Sequence, residues 1–213
     1  MVDFVVRKFS IQDRARIREI SCATSFLGLP RVGIFTDDEI LADSLTLYFT
    51  DFEPDSSFVA VSGSNVIGYI TGAKDVKLMD KINSKIFPCI LLKAFKRGLF
   101  FRGVNLKYFY YSLRSLLRGE FSMPDFSRDY PATLHINIDK DYRGQGVGEK
   151  LIEEYLSYLK VSQVKGVHFG ALSEGPKRFF TRTGFTMLFQ GKRTYFRPYS
   201  GEDVNFYIFG RKI

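Results

Sequence analysis

The stretch Leu134-His135-Ile136-Asn137-Ile138-Asp139-Lys140-Asp141-Tyr142-Arg143-Gly144-Gln145-Gly146-Val147-Gly148-Glu149-Lys150-Leu151 decides the reading of this chain. It opens as an alternating run, in which His135 and Asn137 face one side of a strand and Ile136 and Ile138 the other. It closes as a helix, with Leu151, Ile152, Tyr155, Leu156 and Leu159 forming one apolar stripe. The glycines lie between the two. A helix N-terminus carries unpaired N–H groups and a partial positive charge. Glycines before it let a phosphate approach those groups closely. The string therefore predicts a pyrophosphate site with Arg143 beside it. Two familiar phosphate loops do not fit. No Lys-Ser or Lys-Thr follows the glycines, and the spacing Gly144-x-Gly146-x-Gly148 differs from Gly-x-Gly-x-x-Gly. Three glycines alone suit an ordinary turn before a helix equally well.

The C-terminal third continues to alternate. Strands are expected at Thr133–Ile138, Lys165–Leu172, Thr186–Gln190 and Val204–Phe209. Helices are expected at Gly146–Lys160 and Glu174–Thr183. Residues 1–73 read as β-α-α-β-β. These are a strand at Val2–Arg7, a helix at Ile11–Phe26, a helix capped by Thr36, and a hairpin of Ser57–Ser62 with Asn65–Thr71. Residues 74–130 differ from both. Leu78, Ile82, Ile86, Ile90 and Ala94 recur every four residues around Pro88, which predicts a kink or a helix start there. Leu106, Phe109, Tyr110, Leu113, Leu116 and Leu117 predict a second amphipathic helix. Mixed elements with hairpins at both ends suggest a single α/β or α+β sheet.

The run Arg143-Gly144-Gln145-Gly146-Val147-Gly148 resembles the Gln/Arg-x-x-Gly-x-Gly/Ala signature of the GNAT superfamily of N-acetyltransferases. Some forty residues on, the family's Asn-x-x-Ala-x-x-Phe-Tyr-x-x-x-Gly-Phe element has a counterpart. It runs from Ser173 through Phe179-Phe180 to Gly184-Phe185. Leu134–Ile138 and Gly166–Gly170 are similar to the acetyltransferase-like domains of O-GlcNAcases. The resemblance covers residues 131–213 well and 1–73 loosely. It implies a single α/β domain with the GNAT acyl-CoA N-acyltransferase fold, a mixed sheet flanked by helices. Residues 1–73 are then the N-terminal half, 74–130 a helical insertion, and 131–213 the acetyl-CoA-binding half.

The resemblance also implies an activity: acetyl transfer from acetyl-CoA to a primary amine of a small molecule or protein, by direct attack on the thioester. The N–H groups of Gln145, Gly146, Val147 and Gly148 would hold the pyrophosphate, with Arg143 and Gly144 at its edge. The backbones of Ile136 and Ile138 would pair with the pantetheine amides. Ser173 stands where the family has Asn, and Phe180 where it has the Tyr that protonates the leaving thiolate. A phenyl ring donates no proton. Another Tyr, water, or unassisted departure of a thiolate of pKa about 8.5 are the ways left open. The alternative is a non-catalytic acyl-CoA-binding or protein-interaction module. His135 titrates in the range useful to a base and is the candidate catalytic residue; Asp129 is a second choice. His168, in a buried strand, reads as structural.

Composition bounds the rest. The 213 residues carry a net charge of +8, divided unevenly. Residues 1–73 have six basic and ten acidic side chains, 74–130 twelve and five, and 131–213 thirteen and eight. The basic excess is not one run, and no zinc-finger, RNP-like or basic-zipper pattern accompanies it, which disfavours nucleic acid. No apolar run reaches the length of a membrane span, and the N-terminus lacks a signal-peptide layout. Cys22 and Cys89 have no metal-ligand spacing and read as buried thiols of a reducing, cytoplasmic compartment. Phe100-Phe101-Arg102 and Tyr108–Tyr111, interleaved with Lys93, Lys96, Arg97 and Lys107, permit an acidic or membrane-surface contact. A core would account for the same stripes. The amine acceptor and the oligomeric state are not legible.

Overall fold

The structure is a computed structural model that describes residues 2–30, 34–172 and 175–213. Among the described residues, seven strands form two antiparallel sheets, not the single sheet expected. The first sheet has the order β1-β2-β3-β4, comprising Val5–Lys8, Phe58–Ser62, Asn65–Ala73 and Thr133–Ile138. The second has the order β5-β7-β6, comprising Gly166–Leu172, Val204–Lys212 and Thr186–Arg193. Among the described residues a single parallel bridge, Ala132 to Val167, joins them. Ala132 donates to the Gly166 carbonyl (3.1 Å) and accepts from the His168 N–H (2.9 Å). Beyond that point β4 and β5 part.

Helices cover both faces of the first sheet. On one side α1 (Arg14–Ala23) packs Ile17 and Ile20 against Val59, Val61, Val66 and Tyr69. The helix α2 (Asp38–Leu47) lies beside it. On the other side α5 (Val147–Val161) buries Val147, Leu151, Ile152, Tyr155 and Leu159 against Ile67, Ile70 and Leu134. Full burial of each such side chain stabilises the fold by about 2 kcal/mol, so this stripe anchors the glycine turn that precedes it. The short helix α6 (Gly175–Arg182) packs on the second sheet, and α7 (Arg197–Ser200) lies in the β6–β7 connection beside the Lys107 side chain.

Residues 74–130, expected as a helical insertion, form α3 (Val76–Lys96) and α4 (Gly103–Leu117), joined by a turn at Leu99–Phe101. Pro88 lies inside α3, which runs on through it. The expected apolar face of α3 is mostly inward, with Leu78 exposed, whereas that of α4 is mostly outward. Of the α3 set, Ile90 and Ala94 are buried, whereas α4 buries Asn105 and Ser115. The reason is polar docking. Asn105 donates to the Leu99 carbonyl (2.9 Å) and to Thr36 Oγ1 (3.1 Å), and accepts from the Thr36 N–H (3.0 Å). Ser115 meets Thr194 at 3.1 Å. Thr36 is thus a partner of α4, and the cap of α2 is Asp37, which accepts from the Ile40 N–H.

Ion pairs fasten α3 to α2. Lys93 bridges Glu39 (3.0 Å) and Asp43 (2.7 Å), Arg97 pairs with Asp37 (2.7 Å), and Arg18 also holds Asp43 (2.7 Å). Burial works against ionisation of Asp43, but the hydrogen bonds from Lys93 and Arg18 outweigh it and hold its carboxyl below the ordinary range. The acidic first third therefore answers part of the basic insertion. Cys89 is exposed and Cys22 half-buried, against the expected two buried thiols, because Cys89 lies on a part of α3 that faces water. No described helix is long and apolar enough to cross a membrane.

Candidate acyl-CoA site

The gap between the sheets follows from strand alternation. Asp139 donates to the Ile67 carbonyl, one residue beyond the ladder in which Asn137 faces Tyr69 and His135 faces Thr71. In an antiparallel pair, alternate residues turn their backbone groups to the partner strand. Those of Asn137, His135 and Thr133 therefore turn to β3. Those of Leu134, Ile136 and Ile138 turn the other way, into the gap. Only the Ile138 carbonyl has a partner there among the described residues, Arg143 Nε at 3.1 Å. Ile136 presents both its N–H and its carbonyl on a bare strand edge. Its side chain packs toward α5 with that of Ile138.

At the open end of β4 the chain makes a short turn, Lys140–Tyr142, before the glycines. Asp139 starts that turn by accepting from the Asp141 N–H and forms an ion pair with Arg16. The three glycines have separate reasons. Gly144 and Gly146 have φ of +74° and +86°, the left-handed region that L side chains avoid. A Cβ at either would meet nothing within 4 Å, so the space before α5 is open. Gly146 is the N-cap of α5. At Gly148 a Cβ would lie 2.9 Å from Phe179 Cζ, so this glycine lets α6 approach α5. The first α5 backbone donor returned to the helix is Lys150, to the Gly146 carbonyl. The N–H groups of Val147, Gly148 and Glu149 have no partner among the described residues, as at any helix start. Gln145 braces the turn by donating to the Asp141 carbonyl (3.1 Å) and accepting from the Val2 N–H (3.2 Å).

Arg143, expected beside the phosphates, also makes bonds within the protein. Its second guanidinium arm donates to the Gly28 carbonyl (2.7 Å), so it ties the segment after α1 to the end of β4. Glu149, in the first turn of α5, pairs with Arg182 of α6 (2.5 Å). Phe180 is enclosed by Phe169, Phe179 and Phe209 at 4.5, 5.0 and 5.5 Å. Its ring is core and offers little surface to a ligand. Ser173 lies outside the described residues.

On the α1 face, His135, Asn137 and Tyr69 form a chain. The Asn137 amide donates to Tyr69 Oη (2.9 Å) and to His135 Nε2 (3.2 Å). Tyr69 is fully buried, and that burial pushes its pKa up to about 12. Its place was hidden in the sequence, because only the register of β3 on β4 sets it opposite Asn137. His135 does not titrate in the useful range. Its packed surroundings penalise the imidazolium and push its pKa down to about 4 from 6.5. It is neutral at pH 7. His168 donates Nδ1–H to the Tyr130 carbonyl (2.6 Å) at the closed end of the gap. Asp129 pairs with Lys212 at the surface (3.1 Å).

The shift at His135 has a measurable consequence. The unfolded chain takes up this proton at higher pH than the folded one. The stabilisation is complete above pH 6.5 and is lost as pH falls toward 4. By pH 5 the loss amounts to at most about 2 kcal/mol. Denaturant midpoints measured at pH 7 and pH 5 should therefore converge less in the native chain than in His135→Gln. Equal pH dependence of the two proteins would show that His135 is protonated in the folded state.

No family model matches the chain, and no curated protein sequence does. Solved structures do match. SsHAT is 20% identical, with a TM-score of 0.64 over 99% of this chain and 98% of that one. A polyamine N-acetyltransferase of Drosophila melanogaster that forms N-acetylagmatine is 16% identical, with a TM-score of 0.59 over 99% and 100%. The yncA protein of Salmonella typhimurium, solved with its cofactor acetyl-CoA, is 12% identical, with a TM-score of 0.57 over 99% and 94%. None of the three bears on the narrower likeness to O-GlcNAcase domains. Two diverging sheets, a bare β4 edge and a glycine turn opening α5 are thus set in a scaffold shared over nearly the whole length of each, and the chain has the fold of the GNAT N-acetyltransferases.

Proposed function

We propose that the chain is an acetyl-CoA-dependent N-acetyltransferase that acetylates a primary amine of a small molecule or protein by direct attack on the thioester. The observation that carries this reading is the bare edge of β4 at Ile136, leading without a break to the open turn at Gly144–Gly148. An extended pantetheine arm matches such an edge as an added strand would, and a pyrophosphate matches the turn. The N–H groups from Gln145 to Gly148 would hold the phosphates, with Gly144 giving room. Ile136 and the N–H of Ile138 would hold the arm. Arg143 would add charge at the phosphate edge, through guanidinium N–H groups beyond the two held by the Ile138 and Gly28 carbonyls.

Acetyl-CoA supplies an activated acyl carbon with a thiolate leaving group. The amine nitrogen forms the new C–N bond, the C–S bond breaks, and the thiolate takes the electron pair. The amine proton must be lost to water or to a base. A neutral His135 with a pKa of about 4 holds that proton poorly. In this reading it serves as a hydrogen-bonding group steadied by Asn137, not as a proton store. Phe180 gives the thiolate no proton, and the departing sulfur relies on its own modest basicity or on water.

The buried Phe180 and the neutral His135 favour a second reading, a non-catalytic acyl-CoA-binding or interaction module. One experiment separates the two. Acetyl-CoA is titrated into the protein, and thiol release is then followed across a panel of primary amines that includes polyamines and a lysine peptide. Binding with turnover on any amine supports the enzyme. Binding without turnover supports the module. No binding at about 1 mM ligand removes both.

A further inference from the structure

We propose that the outward faces of α3 and α4 dock on a bilayer surface rich in anionic phospholipid. The starting point is an apolar stripe on the wrong side of α4. Leu106, Tyr110, Leu113 and Leu117 follow one another at steps of four, three and four residues, which sets them on one helix face. They are 52%, 63%, 55% and 81% exposed. The opposite face of the helix carries the buried polar residues that dock it. On α3, Phe87, Leu91 and Phe95 are also exposed, along the flank beside the buried Ile90 and Ala94. At the corner between the helices, Phe95 meets the exposed ring of Phe101 at 5.8 Å. Contiguous exposed apolar surface of this kind marks an interaction site.

Charge decides the partner. Between Val76 and Arg118 the chain has ten Lys and Arg against one carboxylate, Asp80. Lys93 and Arg97 are engaged by α2. Lys77, Lys81 and Lys85 on α3, and Lys107, Arg114 and Arg118 on or next to α4, make no ion pair among the described residues. Lys107 lies over the Tyr199 ring (5.5 Å). An apolar stripe edged by cations without carboxylate partners matches the layering of acyl chains beneath anionic headgroups. A second copy of the chain fits poorly. Pairing two α4 stripes would bring the cations of both copies together, and the helix has no carboxylate to answer them. Nucleic acid would answer the cations but leave the leucines in water. An acidic peptide would want a groove, whereas these side chains stand out from convex helix faces.

The test is co-sedimentation of the full chain with vesicles of phosphatidylcholine alone, or with about 30% phosphatidylserine, at about 50 and about 500 mM salt. The expected result is binding to the phosphatidylserine vesicles at low salt, weakened by high salt, and none to phosphatidylcholine. Two variants sharpen it: Leu106→Ser with Leu113→Ser and Leu117→Ser, and Lys107→Gln with Arg114→Gln and Arg118→Gln. Each is expected to lower partitioning at least about tenfold. All six positions are exposed, and circular dichroism confirms folding. Failure to bind phosphatidylserine vesicles overturns the proposal, as does unchanged binding by either variant. Self-association in ultracentrifugation, or binding to RNA or polyglutamate, without vesicle binding also overturns it, by assigning the face to another partner.

Discussion

Gly146→Asp is expected to lower acetyl-CoA affinity at least about a hundredfold while leaving the fold in place. The backbone there has φ +86°, and Asp is among the few L residues that enter the left-handed region at modest cost, about 1 kcal/mol. Nothing lies within 4 Å of the new Cβ, so no packing is lost. The carboxylate, however, enters the open space before α5, beside the free N–H groups of Val147 and Gly148. It would compete for those donors and repel a pyrophosphate. Two unit charges about 4 Å apart in a surface setting repel by about 4 kcal/mol, which screening reduces but does not remove. Gly146→Ala is the control, because it carries the backbone strain without the charge. Calorimetric titration of both variants, with denaturant midpoints beside it, checks the claim. If Gly146→Asp binds as the native chain does, the phosphates lie elsewhere.

The parts of this site that the sequence made legible are the parts that depend on backbone. Alternation along Leu134–Ile138 put Ile136 and Ile138 on one face, and the same alternation, with the ladder phase, turns their backbone groups to the gap. Glycine spacing located the turn, because left-handed φ values leave few other residues in place. Side-chain roles were harder. His135 looked like a physiological titrator, but its burial depends on α1 and β3 packing that no local pattern encodes. Arg143 has protein partners that its place in the glycine run does not reveal, Gly28 and Ile138, 115 and five residues away. The split into two sheets was invisible for a similar reason. It follows from where β4 stops pairing with β5, a single bridge at Ala132. The insertion misled most. Helical apolar spacing gives the face of a helix but not whether that face turns inward. In α4 the polar pair Asn105 and Ser115 took the inside.

Gly72→Ala is expected to be the most damaging single methyl in the chain, costing about 3–5 kcal/mol. An ideal Cβ on Gly72 would lie 2.0 Å from Tyr155 Oη, 2.4 Å from its Cζ and 2.5 Å from the Thr133 carbonyl. None of these can give way cheaply. Tyr155 is fully buried in the α5 stripe, and its hydroxyl donates to the Thr133 carbonyl at 2.7 Å. Overpacking alone costs about 1–3 kcal/mol. Pushing the ring aside would also break a buried hydrogen bond, for about 1–3 kcal/mol more. In a chain of this size the sum corresponds to a fall in Tm of about 10–15 °C. Removing the hydroxyl supplies the internal check. Tyr155→Phe alone loses the hydrogen bond, but in the Gly72→Ala background it also removes the closest clash. The two changes should therefore be coupled by at least about 1 kcal/mol, the double variant being more stable than the sum of the singles. Strict additivity would mean that Tyr155 does not pack on Gly72. The position matters beyond stability, because Thr133 is the first residue of β4 after the Ala132 bridge. The contact that makes Gly72 irreplaceable thus holds the strand where it leaves its neighbour, and a weakened hinge there should loosen the gap before the sheets themselves melt.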